Sequence, residues 1–405
     1  MARTTETNPQ RILWLQVGGL ATIQGAITLC WVIYNFYIPQ LLVEIGFSRD
    51  LAIGLVVVEN ALAIGMEPLM GGLSDKARRW TASRFPFISA GVILSSALFI
   101  VIPSLVTFLP PTDATRWIFL FVVVGWALAM TVFRSPAIVL LGRCAAKPEL
   151  PLAASLLTLV GGIISAFRPI SNNLLLSLGA VFTFSFGSFV LLAAAFVLRF
   201  VTPPEKPVNP TIETPNLSEQ LPRALAILLG SGFGIACGSR LLMDVLGKLL
   251  KIELNTDNID GMMFVISISL AFAALPAGVF ATKIGNRKAI VWSICAISIL
   301  IISMLFAGAK LPLIIMIIGA FSLIINGAIP FALSLVFPER SGVALGTYFG
   351  GGALAGALLP IFLPELPNLS PISEGFMSSV AFLITGACVT ASRTINQAQS
   401  INNDD

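Results

Sequence analysis

Apolar residues in this chain fall into long runs broken by short polar stretches, and inside the runs they do not alternate with polar ones. A run without alternation selects helix over strand. About 20 apolar residues are needed to cross the hydrocarbon, where the backbone must satisfy its own hydrogen bonds. The pattern predicts an all-α membrane protein with twelve transmembrane helices, at 12–36, 51–72, 85–108, 116–141, 151–176, 180–200, 223–247, 260–282, 288–308, 311–336, 342–364 and 371–392. The polar stretch from Met1 to Arg11 leads into the first run without a cleavage pattern, so that run is expected to stay as a span.

The proline-rich, mixed-charge stretch from Thr202 to Pro222 has no apolar period and reads as a linker. The expected organisation is an N-terminal segment at 1–11, a six-helix bundle at 12–200, the linker at 201–222, a second six-helix bundle at 223–393 and a tail at 394–405. Placing the N-terminus in the cytoplasm puts 16 Lys and Arg residues on inner segments and 5 on outer loops. That split satisfies the positive-inside rule with both termini cytoplasmic, in a bacterial-type inner or plasma membrane.

Composition agrees: 56% of the 405 residues are hydrophobic and 11% charged, and the mean hydropathy is +0.93. Soluble domains carry roughly 25% charged residues. The net charge of +4 calls for no nucleic acid. Histidine is absent, so proton handling falls to carboxylates. The five cysteines, Cys30, Cys144, Cys237, Cys295 and Cys388, are scattered singly, with neither zinc spacing nor a disulfide framework. No metal site and no cofactor are expected, and nothing in the pattern suits an enzyme.

One junction between spans is distinctive. Glu67-Pro68 is followed by Gly71, Ser74-Asp75-Lys76, Arg78-Arg79 and then Arg84-Phe85-Pro86. A second copy, Gly278, Thr282-Lys283, Gly285 and Arg287-Lys288, begins 278 − 71 = 207 residues later, about half the chain away. The fourth and tenth spans are each expected to break at a proline, Pro136 and Pro330. Repeated features at a half-chain offset point to two pseudo-symmetric bundles related by an axis along the membrane normal.

The first junction resembles the helix-two to helix-three loop of the major facilitator superfamily, typically Gly-x-x-x-Asp-Arg/Lys-x-Gly-Arg. Gly71, Asp75, Lys76 and Arg79 match it, with Arg78 in place of the second glycine; Gly278, Lys283, Gly285 and Arg287 match in the second copy, with Thr282 in place of the aspartate. Read with its flanks, the junction is similar to the glycoside-pentoside-hexuronide cation symporters, the melibiose permease group, and to the related sucrose/proton symporters. There an acidic-Pro pair precedes the basic loop and an Arg-x-Pro-aromatic start to helix three. Ala63 stands where that group carries a further carboxylate, which favours protons over sodium. The resemblance implies a secondary active transporter moving a small solute, a sugar or glycoside, by alternating access with proton coupling. It also implies a latch of Gly71, Asp75, Lys76, Arg79, Gly278, Lys283 and Arg287, in which Asp75 and Arg79 hold the halves together. A carrier of an amphiphilic, drug-like or pigment-like molecule, and a non-transporting assembly or sensor protein on the same fold, are the alternatives. The expected partners are the solute, a proton and membrane lipid, with the chain acting as a monomer.

Charges inside spans need partners or water, because an ionised group at mid-bilayer costs at least about 2.5 kcal/mol. At 1.5 Å per residue, Glu67 lies about 24 Å from the outer start of helix two and Arg134 about 27 Å from that of helix four. The same arithmetic brings Glu59 and Arg168 near one level. The expected coupling pairs are therefore Glu67 with Arg134 and Glu59 with Arg168, with Glu67 exchanging a proton as Arg134 alternates between it and the solute. Arg240 and Asp244 stand four apart and are expected to pair near the outer end of helix seven. Glycines at 342, 346, 350, 351, 352 and 356 allow close helix approach on helix eleven. By family geometry the solute-binding candidates are Gln24, Asn35, Trp126, Arg134 and Asn326, while Trp31 and Tyr34 read as interfacial anchors.

Overall fold

The structure, a computed structural model, describes residues 11–48, 50–81, 83–202, 215–364 and 368–393. Twelve helices are long and apolar enough to cross a membrane, and no strand occurs among the described residues. They are α1 (Trp14–Glu44), α2 (Leu51–Thr81), α3 (Phe85–Phe108), α4 (Asp113–Val139), α5 (Leu150–Ala166) and α6 (Ala180–Val201), then α7 (Pro215–Leu254), α8 (Asp260–Ile284), α9 (Asn286–Ala307), α10 (Leu311–Ser334), α11 (Ser341–Phe362) and α12 (Pro371–Ala391). The chain is an integral, multi-pass membrane protein.

Packing repeats between the halves. Helix α1 packs on α5 and α6, α3 on α4 and α6, and α2 on α4; α7 packs on α11 and α12, α9 on α10 and α12, and α8 on α10. Each pairing in the first set has its counterpart six helices later. The main contacts between the halves, α2 with α11 and α5 with α8, are counterparts of one another too. A pseudo-twofold axis explains all of these at once.

Glycines permit the cross-half contacts. A Cβ on Gly71 would collide with the carbonyl of Gly342, and one on Gly346 with the carbonyl of Glu67. In the second pair, a Cβ on Gly278 would meet the Pro151 carbonyl at 3.0 Å. Backbones this close leave no room for any side chain, as in small-xxx-small packing generally.

Several helix ends depart from the sequence pattern. Helix α1 runs on past Phe36, through Pro39, because Tyr37, Ile38, Leu41 and Leu42 keep one face buried. Helix α5 stops at Ala166 rather than 176, where Arg168 precedes Pro169 and a short helix, Asn172–Leu178, follows. Proline disfavours helical backbone at the residue before it and lacks a donor of its own, so the run is interrupted there despite its apolar character. Helix α7 begins at Pro215, inside the stretch read as linker, and its 40 residues span about 60 Å, twice the hydrocarbon thickness. Helices α4 and α10 continue through Pro136 and Pro330 instead of breaking.

The first half has an aromatic interior. Trp126 is fully buried, stacked on Tyr34 at 4.3 Å and on Phe99 at 4.9 Å between ring centroids. Tyr34 is therefore no interfacial anchor: the longer α1 moves it away from the helix end, and it is 1% exposed.

Candidate functional site

The start of α1 and the end of α12 lie at one end of the bundle, and there the last turns of α2 from the first half meet the start of α11 from the second. Asp75 accepts the backbone N–H groups of Gly342 and Val343, both at 3.0 Å. The first turn of any helix has N–H groups without intrahelical partners and a partial positive charge, so a carboxylate suits it. Asp75 also takes Arg84 at 2.5 Å, and both side chains are buried. Nearby, Ser135 of α4 donates to the Gly342 carbonyl at 3.2 Å and Arg78 to the Pro338 carbonyl at 3.0 Å. On the other side of the axis Asn326 of α10 donates to the Pro151 carbonyl at 2.9 Å and accepts from Thr158 at 3.2 Å.

The arginine on Asp75 is thus Arg84; the side chain of Arg79 lies outside the described residues. The junction pattern includes Arg84 as the start of the third span but gives it no part in the latch, although a signal was present: it sits just before the first turn of α3, where the helix end repels a cation. Such a cation needs an acid close by. Lys76 and Lys283 are exposed. Arg287 donates to the Thr390 carbonyl at 2.8 Å, within its own half, so it does not join the halves. Thr282 bonds back to the Gly278 carbonyl at 2.9 Å, and among the described residues the second copy of the motif makes no counterpart of the Asp75 contact.

Deeper in the bundle, Arg134 of α4 approaches one carboxylate oxygen of Glu67 at 3.4 Å. Glu67 is 1% exposed, and its other oxygen has no hydrogen-bond partner among the described residues. The guanidinium lies over the ring of Phe349 from α11, 3.9 Å from its centroid. One-third of the Arg134 side chain is exposed. A charge cannot face lipid at that cost, so its open side must meet water between the halves.

The other expected pair does not form. Glu59 accepts a short hydrogen bond from Tyr34, and Arg168 lies beyond the end of α5. Arg168 reaches solvent, yet enough protein surrounds it that desolvation first, and the Arg240 charge second, hold its guanidinium below its ordinary range. Arg240 and Asp244 do pair, at 3.1 Å.

Of the solute-binding candidates, Gln24 is half-buried and Asn35 exposed, its amide turned back to the Trp31 carbonyl at 2.7 Å. Trp126 and Asn326 are sealed at 0% and 1% exposure, one in the aromatic interior and the other in the tie between α10 and α5. Neither can touch a solute in this conformation. No group of three or more His, Cys, Asp or Glu among the described residues could hold a metal ion.

The sequence matches the family described as Major Facilitator Superfamily over residues 20–360. No curated protein sequence matches it at a significant level. The fold is similar to the human organic anion transporter MFSD10, with 14% identity, TM-score 0.69 and coverage of 95% of this chain and 100% of that one. A bacterial homologue of the iron transporter ferroportin in an outward-facing state gives 14% identity, TM-score 0.71 and coverage of 94% and 99%. The transporter FucP in its outward conformation gives 12% identity, TM-score 0.66 and coverage of 93% and 98%. At such identities the likeness is one of fold.

Proposed function

The chain belongs to the major facilitator superfamily, and we propose that it is a proton-coupled secondary transporter whose coupling site is Glu67 with Arg134. The observation that carries this is the state of Glu67: buried, held by one weak contact to a cation, with its second oxygen unpartnered at the seam between α2 and α11. A carboxylate so placed gains or loses a proton at small structural cost, and doing so changes the charge at the contact between halves. Arg134 touches both halves, Glu67 on one side and Phe349 on the other, so its partner choice bears on whether they stay together.

Asp75 and the ties around it close the end where α1 starts and α12 finishes. With the termini in the cytoplasm, as the positive-inside count implies, that closed end is cytoplasmic and the solute enters from outside. The motif resemblance implies a sugar or glycoside as solute. Gln24 and Asn35 remain open to offer it amides, whereas the burial of Trp126 removes the aromatic face a sugar ring would use.

The test is a screen of purified protein in lipid vesicles with sugars, glycosides and organic acids, with and without an imposed proton gradient. Uptake that follows the gradient and fails in Glu67→Gln supports the reading. Uptake indifferent to pH and gradient refutes coupling, and uptake of no solute at all favours a sensor or assembly role.

A further inference from the structure

Arg134 is a fixed cation, since a guanidinium does not deprotonate in proteins. Its described acidic partner is Glu67, reached through Nη1 alone. The aromatic contact with Phe349 covers the face of the guanidinium and leaves its edges available for in-plane hydrogen bonds. When Glu67 takes a proton, Arg134 loses its counterion.

Among the described residues, the groups near this pair offer no second acid for Arg134. From α11 comes Tyr348, within electrostatic range of Arg134, and from α1 Tyr34, which is committed to Glu59. On α2 itself, Asp75 is occupied by Arg84 and by the amides of α11. Arg134 is half-buried and open on one side, so once Glu67 is neutral it presents a positive charge with no acid on it, and an anion entering from the solution can take that place.

A second observation has the same sign. At the end away from Asp75, Arg168 beyond the end of α5 and Arg240 of α7 bring positive charge from opposite halves into range of one another. Asp244 pairs with Arg240, and Arg168 faces no acid among the described residues. That local positive charge, between α5 and α7, favours an anion there.

We infer that the transported solute carries a carboxylate, which takes the place of Glu67 on Arg134 once Glu67 is protonated, so that one proton and one negative charge cross together. This rests on the coupling reading above and adds the charge class of the solute. Proton and anion then favour each other's binding reciprocally, as linkage requires. For a monoanion the cycle is electrically neutral. The sealed positions of Trp126 and Asn326, the two groups best suited to a neutral sugar, agree with this.

The experiment uses the purified full chain in lipid nanodiscs and calorimetric or thermal-shift titration with matched pairs: benzoate and benzamide, lactate and lactamide, nicotinate and nicotinamide, with galactose as a neutral sugar. The expected result is that a carboxylate binds and its neutral twin does not. Its affinity should rise about tenfold for each pH unit of acidification while Glu67 is mostly ionised. Glu67→Gln should bind the same carboxylate with that pH dependence flattened, and Arg134→Gln should weaken it at least tenfold. Arg168→Gln should slow association and reduce its salt dependence. Equal binding of both members of each pair, binding of galactose alone, or no binding by any carboxylate overturns the inference. Proton-driven uptake of a neutral solute, uncoupled by Glu67→Gln, would end the anion assignment and leave the coupling reading standing.

Discussion

Asp75 and Gly342 belong to opposite halves of the molecule, yet the carboxylate of one accepts the backbone N–H of the other at 3.0 Å. Arg84 holds the same carboxylate from behind. Removing the acid would leave a buried arginine and an uncapped helix start. A buried pair broken on one side costs about 3 to 5 kcal/mol. Asp75→Ala should therefore lower the apparent melting temperature sharply and Asp75→Asn less so. The double variant Asp75→Ala with Arg84→Ala should be less damaging than the sum of the singles. Additive losses in a thermal-denaturation series would show that the two do not act as a pair.

Close approach makes a sharper steric prediction. A methyl group at Gly342 would press on the Gly71 carbonyl and on Asp75, whereas one at Gly72 would meet only Val343, at 3.8 Å. Overpacking a tight contact costs about 1 to 3 kcal/mol. Gly342→Ala should weaken closure at the Asp75 end, read as faster labelling of an introduced cysteine on that face of α2. Gly72→Ala should label like the parent. Identical labelling of the two variants contradicts the glycine contact.

Glu59 and Glu67 sit two turns apart on α2 and are expected to behave differently. Glu59 has a hydroxyl partner inside the aromatic interior, so Tyr34→Phe should cost stability of about 1 to 3 kcal/mol, the penalty for orphaning a buried polar group. Glu59→Gln can still accept from Tyr34 and should keep gradient-driven uptake. Loss of coupling in Glu59→Gln, with normal folding, would move the proton site away from Glu67.

The contrast between these two carboxylates shows what the sequence carries. Run lengths alone give the twelve spans, because lipid forces each crossing to be a helix of sufficient length. Depth along a helix is also legible, and Glu67 and Arg134 meet where counting places them. The pairing of Glu59 with Arg168 failed because Pro169 ends α5 early, and because counting gives height but not azimuth. Azimuth hid the role of Arg84 too: nine residues from Asp75, across a loop, it returns to the same carboxylate. The sealed state of Trp126 comes from its stacking on Tyr34 of α1 and Phe99 of α3, cross-helix neighbours that a reading of one span at a time does not supply.

Asn326 offers a test of the second tie. Its amide bridges α10 to α5 through the Pro151 carbonyl and Thr158. Asn326→Leu removes the cross-half donor to the Pro151 carbonyl and should shift the molecule toward opening at the end where α5 begins. A spectroscopic distance between labels on α5 and α10 should lengthen on average, and an unchanged distance distribution would make the amide a packing residue only.

The most direct test of the account compares accumulation with exchange. Wild type and Glu67→Gln would be placed in vesicles and supplied with the best-transported solute of the screen, once under an imposed proton gradient and once in counterflow without one. Glu67→Gln should lose gradient-driven accumulation and keep counterflow, because the halves still alternate while no proton is carried. Accumulation by Glu67→Gln at the wild-type level would contradict coupling through Glu67.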